Sequence, residues 1–226
     1  MDESEQQAKQ AVQRAYENWS SSYDSQENPT RDLSSALARR FFPEGRPALV
    51  VEAGCGTGLN TGWLAARCEK LIAFDFSVSM MAIAREKVTA TNVAWHQRDI
   101  MEAWPVPAGQ ADVVLINLVI EHIADLETIL GHASNALAPG GQLIITEYHP
   151  DRVQQGKGAE IENEAGEVIL EIHNHHHPAS EYVELANKLE LKVINNSGWQ
   201  ADASGGTPYE TDQAPLILLI ILKKGG

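Results

Sequence analysis

The sequence predicts an open, doubly wound, mostly parallel α/β sheet with helices on both faces. Apolar runs of the kind found in strands covered on both sides, such as Val50-Val51-Glu52-Ala53, Leu71-Ile72-Ala73-Phe74 and Ala111 to Ile116, alternate with segments of helical periodicity. The first run passes directly into the glycine-dense turn Gly54-Cys55-Gly56-Thr57-Gly58, and the second delivers an acidic residue, Asp75, about twenty residues further on. At 226 residues the chain is long enough for one such domain with a sizeable core.

From the N-terminus, residues 5–24 read as a helix. Ala8, Ala11, Val12, Ala15, Trp19 and Tyr23 form its apolar face, with Tyr16 beside it. A second helix is expected over Leu33 to Phe42, with Asp32 or Thr30 as N-cap. After the first two strands, Ser79 to Lys87 reads as a helix, with Met81 and Ala84 or Arg85 at helical spacing. Val93 to Gln97 and Ala111 to Asn117 are the next strands. A helix is then expected to end at Pro139, Gly140 and Gly141 to turn the chain, and another parallel strand to reach Glu147. Residues 159–172 alternate around a Gly-containing turn and read as a β-hairpin. Tyr182 to Leu189 is a helix entered at Pro178 or Ser180, and Leu191 to Ile194 and Pro215 to Leu222 are the last strands. Gly198 to Asp212, rich in Gly, Ser and Asp, reads as a mobile surface loop between them.

The glycine spacing separates two ligand classes. A dinucleotide fingerprint is G-x-G-x-x-G, but here the third glycine is replaced by Leu59 in one frame and Thr61 in the other. Asp75 suits a ribose, because a carboxylate accepts hydrogen bonds from two adjacent hydroxyls. Together they describe a site for an adenosine-bearing ligand without pyrophosphate. The run Glu52 to Gly58, with Asp75, Asp99-Ile100 and Asn117 to His122 in that order, resembles the class I S-adenosylmethionine-dependent methyltransferases of the small-molecule type. The resemblance is strong over residues 45 to 150.

What the resemblance implies is specific. The sheet would have seven strands, the last antiparallel. The cofactor would be S-adenosylmethionine, leaving as S-adenosylhomocysteine, with no metal. Gly54, Cys55, Gly56, Asn117 and Leu118 would surround its methionine part. Asp75, with Phe76 beside it, would hold the ribose; Asp99 would accept from the adenine amino group, while Ile100 and Met80 pack on the ring. An N-terminal helical lid (1–44) would contribute a Tyr-Asp pair, matched by Tyr23-Asp24, and Arg31 is the nearby cation for the methionine carboxylate. The cofactor-binding core would span 45–150, an inserted hairpin cap 151–178, and a C-terminal helix and strand pair 179–226, all in one domain.

The acceptor side is read from two polar clusters at strand ends, Glu121-His122 and Glu147-Tyr148-His149, with Arg152 shortly beyond. Ligands of this fold class bind at the carboxyl ends of strands. An oxygen acceptor must lose a proton, and a histidine is the usual agent. His149, held extended by Pro150, and His122 are the catalytic candidates. Tyr16, Trp19, Glu121, Tyr148 and Arg152 are the substrate-binding ones, with Arg152 and Lys157 suited to an anionic acceptor group. His173, His175, His176 and His177 make a poor metal site, since neighbours in a strand point to opposite faces and no cysteine or carboxylate stands at ligand spacing. The expected function is methyl transfer to an oxygen or nitrogen of a small molecule. The alternatives are a non-catalytic S-adenosylmethionine-binding protein and a protein or RNA methyltransferase.

Composition narrows the partners. A formal charge of −14 repels a phosphate backbone, so nucleic acid is not an expected substrate. The longest apolar run, Leu216 to Leu222, is far short of the ~20 residues of a membrane helix, and the polar N-terminal segment does not resemble a signal peptide. Two cysteines, Cys55 and Cys68, form no disulfide framework, which makes a cytoplasmic setting the expectation. No feature indicates an oligomer.

Overall fold

The computed structural model describes residues 23–156, 159–162, 168–172, 174–201, 206–208 and 214–226. The expected helix over residues 5–24, with Tyr16 and Trp19, lies almost entirely outside these residues, as do Lys157 and His173. Helix α1 (Pro29–Arg40) is followed by β1 (Leu49–Ala53), α2 (Thr61–Ala65), β2 (Lys70–Asp75), α3 (Val78–Lys87), β3 (Val93–Gln97) and β4 (Ala111–Asn117). A single 3-10 turn (Ile120–His122), α4 (Leu126–Ala136), β5 (Leu137–Tyr148), α5 (Pro150–Gln154), β6 (Ala159–Glu162) and β7 (Val168–Ile172) come next. The chain closes with α6 (Ala179–Lys188), β8 (Leu191–Gln200), β9 (Thr207–Pro208) and β10 (Ile217–Lys224).

The main sheet has the order β3-β2-β1-β4-β5-β10-β8-β9, and β6 and β7 form a separate antiparallel hairpin. Strands β1 to β5 are parallel, and β10 runs antiparallel to both β5 and β8. The apolar runs alternate between two cores. Val51, Ile72, Phe74, Val114, Ile116 and Ile145 point to one, covered by α4 and by Tyr182 and Ala186 of α6. Val50, Leu71, Ala73, Val113, Leu115 and Ile144 point to the other, covered by Leu33 and Leu37 of α1, Leu64 of α2 and Met81 of α3. The strand order reverses between β1 and β4, and the crevice at their carboxyl ends is where open sheets of this kind bind ligands.

Several expectations are corrected. The sheet has eight strands because the two-residue β9 pairs with the end of β8. Strand β8 continues to Gln200, where a loop was expected from Gly198: Trp199 is buried, packs edge-on to Phe41 at 5.6 Å, and lies under Arg40 at 5.1 Å. Helix α1 starts at Pro29, because Asn28 caps it by accepting from Arg31 N at 2.9 Å and Pro29 suits a first turn that has no use for its missing N–H. Helix α4 ends at Ala136, so Pro139 and the two glycines fall inside β5. Gly140 has φ +79°, and a Cβ on Gly141 would stand 2.7 Å from Ala111 O, which explains the glycines at this register shift.

Candidate active site

The glycine turn opens the crevice. Gly54, Gly56 and Gly58 all have positive φ, and a Cβ on Gly54 would lie 2.3 Å from Val119 Cγ2, so the turn leaving β1 and the one leaving β4 touch across the switch point. Gly56 N donates to Asp75 Oδ2 at 2.9 Å and Ser77 N to Asp75 Oδ1 at 2.8 Å, fixing the carboxylate between the first two strand ends. Burial raises the Asp75 carboxyl above its usual range, and these backbone bonds oppose the rise. Ser77 also caps α3, placing Met80 in its first turn. Beyond β3, Asp99 Oδ1 accepts from Met101 N at 2.9 Å, and Ile100 is buried next to it.

At the end of β4, Asn117 Nδ2 donates to Ser34 Oγ of α1 and to Thr146 Oγ1 of β5, both at 2.7 Å. Leu118 adopts φ +53°, a conformation a branched residue rarely holds, and its N–H donates to Thr146 O at 2.8 Å. The chain before α1 closes the crevice from above. Asp24 Oδ1 accepts from Thr57 Oγ1 of the glycine turn at 2.8 Å, and Asp24 Oδ2 pairs with Lys87 of α3 at 2.6 Å. Arg31 donates to Tyr23 O, to Gln26 O at 3.1 Å and to Asp32 Oδ1 at 3.0 Å, and its guanidinium lies 5.7 Å from the Tyr23 ring centre. Burial pushes the Tyr23 phenol up to about 12, against the pull of Arg31.

These groups enclose a cavity of about 720 Å³. All twelve residues read from the sequence as cofactor-binding line it: Tyr23, Arg31, Gly54, Cys55, Gly56, Asp75, Phe76, Met80, Asp99, Ile100, Asn117 and Leu118. So does His122, carried by the 3-10 turn after β4. Further wall residues were not among the site candidates, and Glu52, Val119 and His175 are three of them. Glu52 is buried in β1, accepts from Thr61 Oγ1 at 2.6 Å, and is pushed up to about 8 by burial. Val119 follows Leu118 directly. His175 is drawn in by its N–H bond to Glu121 O at 2.6 Å; the cluster of histidines was the signal for it.

Other candidates lie behind the wall. Glu121 is buried next to the cavity residues, with Oε2 unpartnered and its carboxyl pushed up to about 8 by burial. Glu147, also buried and raised, accepts from the Tyr182 hydroxyl. His149 does not line the cavity: it is the N-cap of α5, its Nδ1 accepting from Asp151 N at 3.3 Å, and burial lowers its pKa. Tyr148 and Arg152 do not line it either, and Arg152 donates instead to Ala214 O and Pro215 O. His177 is buried with Nδ1 3.0 Å from Glu181 Oε2 and Nε2 2.7 Å from Ile123 O, and His176 is exposed. Among the described residues no cluster of His, Cys, Asp and Glu is arranged to hold a metal ion, and no helix is long and apolar enough to cross a membrane.

Residues 51–145 match the family described as methyltransferase domain. The chain is 32% identical over 140 residues to the trans-aconitate 2-methyltransferase of Methylobacterium nodulans, covering 61% of this chain and 51% of that protein. It is 33% identical over 148 residues to the malonyl-[acyl-carrier protein] O-methyltransferase of Enterobacter lignolyticus, covering 65% of this chain and 57% of that protein. The chain therefore spans little more than half the length of either relative. Its fold matches the crystal structure of an S-adenosylmethionine-dependent methyltransferase from Mesorhizobium loti with a TM-score of 0.68 at 16% identity, over 83% of this chain and 96% of that one. Residues 51–145 thus resemble a methyltransferase domain, and the sheet order, the glycine turn and the strand-end acids stand in the fold shared with that S-adenosylmethionine-dependent methyltransferase.

Proposed function

We propose that this protein transfers a methyl group from S-adenosylmethionine to an oxygen or nitrogen of a small-molecule acceptor. The observation that carries the reading is the convergence of the glycine turn, Asp75 and Asp99-Ile100 on one cavity. A carboxylate has about four lone-pair sites. Asp75 accepts from the N–H groups of Gly56 and Ser77, one on each oxygen, with the Phe76 N–H also acting on the carboxylate, and the remaining lone-pair capacity suits ribose hydroxyls. Apart from its chain neighbours, no described residue comes within 4 Å of a Cβ built on Gly56, which suits passage of the ligand's amino-acid part over the turn. Ile100 and Met80 supply apolar surface for an adenine, with Asp99 at its edge.

Bound there, S-adenosylmethionine supplies a methyl carbon already activated by a sulfonium. The protein's share is to hold the acceptor in line with that carbon and to keep water away, and Tyr23, Arg31 and the segment clamped by Asp24 close the crevice for this purpose. For an oxygen acceptor, the attacking oxygen bonds to the methyl carbon, the C–S bond pair stays on sulfur, and the acceptor proton needs a base. His122 is on the cavity wall and is assigned that role, whereas His149 is committed to the start of α5. Tyr16, Trp19 and Glu121 remain candidates for acceptor contacts, whereas Tyr148 and Arg152 lie off the cavity. The two relatives named above for trans-aconitate and malonyl-[acyl-carrier protein] support an acceptor class that includes carboxylic acids.

Calorimetry with S-adenosylmethionine and with NAD tests the cofactor, and a metabolite screen with methyl-labelled cofactor tests the transfer. Losing a charge-assisted hydrogen bond costs roughly 1.5 to 3 kcal/mol, so Asp75→Ala is expected to weaken cofactor binding about ten-fold or more. Unchanged affinity in that variant, or preference for NAD, defeats the reading.

A further inference from the structure

Asn117, Ser34 and Thr146 form a closed triangle. The Asn117 amide nitrogen donates to both hydroxyls at 2.7 Å, and Ser34 Oγ donates to Thr146 Oγ1 at 2.9 Å. Ser34 and Thr146 are fully buried, so no solvent competes for these bonds. The triangle fixes which way the amide faces. Turned over, the Asn117 carbonyl would need a hydrogen from each hydroxyl, leaving none for the Ser34–Thr146 contact. With the amide as it stands, each side of the triangle has a hydrogen. Both hydrogens of Nδ2 are then committed away from the cavity, and Oδ1 is the polar atom Asn117 offers to the wall it helps form.

We infer that Ser34 and Thr146 are positioning residues that lock the Asn117 amide with its carbonyl toward the cavity, so that this wall selects a hydrogen-bond donor, the ammonium group of the cofactor's amino-acid end. The inference rests on the S-adenosylmethionine reading above. Helix α1 carries Arg31 on the same cavity one turn before Ser34, and the bonds of its guanidinium leave one N–H uncommitted. One helix therefore addresses both charges of a zwitterion: Arg31 the carboxylate, and Ser34 the ammonium by way of Asn117. The triangle joins α1, β4 and β5, so this readout exists only when the three elements are docked.

The test is calorimetry of the whole chain with S-adenosylhomocysteine and with 5′-methylthioadenosine, which shares the nucleoside and the sulfur but lacks the amino-acid end. Thr146→Val removes one acceptor at nearly constant volume and frees the amide to turn. Binding of S-adenosylhomocysteine is expected to fall about ten-fold or more, binding of 5′-methylthioadenosine to stay within about two-fold, and Thr146→Ser to restore the first. Ser34→Ala, a second variant at another corner of the triangle, is expected to act in the same direction. Unchanged S-adenosylhomocysteine affinity in both variants overturns the inference, and so does a parallel loss for both ligands, which marks a merely structural role. A wild-type protein that binds neither ligand overturns the cofactor reading, and this inference with it.

Discussion

Buried acids dominate the site at the scale of single residues. Glu121 sits in the 3-10 turn after β4 with one oxygen unpartnered, near Tyr23 and Glu147, and its ordinary value of 4.5 is pushed up to about 8 by burial. A carboxyl raised in the folded state binds its proton more tightly there than in the unfolded chain. Between about 4.5 and about 8 the native state therefore holds more protons, and stability declines as pH rises through that window. Below about 4.5 both states are protonated and the group is neutral to stability. Glu121→Gln removes this titration without changing the shape. We predict that the variant's urea midpoint matches wild type near pH 4.5 and exceeds it increasingly toward pH 8. A constant difference across that range, or none, means that Glu121 is hydrated and ionises freely. Glu52 is pushed up to about 8 as well, so part of the wild-type decline should survive in the variant.

At the scale of elements, the decisive contact is the approach of the turn after β1 to the turn after β4. Gly54 has φ +78°, and any side chain there meets Val119 at 2.3 Å. Gly54→Ala combines an unfavourable backbone with overpacking, each worth about 1 to 3 kcal/mol. We expect a loss of stability of that order in urea unfolding, with Val119 displaced from the cavity wall. Val119→Ala in the same chain relieves the clash and leaves the backbone term. The double variant should be more stable than Gly54→Ala alone, and failure to recover any stability would show that the contact with Val119 is not the cause. Strand β8 shows the same logic from the other side. Its polar outer half is held in the sheet by Trp199, which is wedged between Phe41 and Arg40 of the first helical segment.

Across the whole molecule, the chain before α1 is tied to the glycine turn through Asp24 and Thr57, to α3 through Lys87, and to the body of α1 through Arg31. Few of these ties are apolar, so this strip should open more readily than the sheet it covers. Adding S-adenosylhomocysteine would supply contacts to Tyr23 and Arg31 from below. We predict that amide hydrogen exchange slows over residues 23 to 31 and over 54 to 58 on ligand addition, while the β1 and β4 cores change little. Equal exchange over 23 to 31 with and without ligand would mean that the strip is packing and not a gate.

What the sequence determined by itself is what depends on local chemistry. Strands buried on both faces leave continuous apolar runs, so β1, β2 and β4 were legible. A backbone that must take positive φ at Gly54, Gly56 and Gly58 requires glycine, so the turn and the acid that follows it on β2 could be read together. Most of the cavity wall was legible because its residues sit at strand ends, which the order of elements brings to one edge. Tertiary structure alone decided the rest. Trp199 makes a strand of a polar stretch only because helix α1 covers it. The Asn117 amide is held only because Ser34 and Thr146, far apart in the chain, both meet its nitrogen. His149 and His175 take their places for a similar reason. One imidazole caps a helix that starts at the next residue, while the other is drawn to the wall by a backbone bond to Glu121. A strand end specifies where a residue is; the direction its side chain takes depends on elements that arrive from elsewhere in the chain.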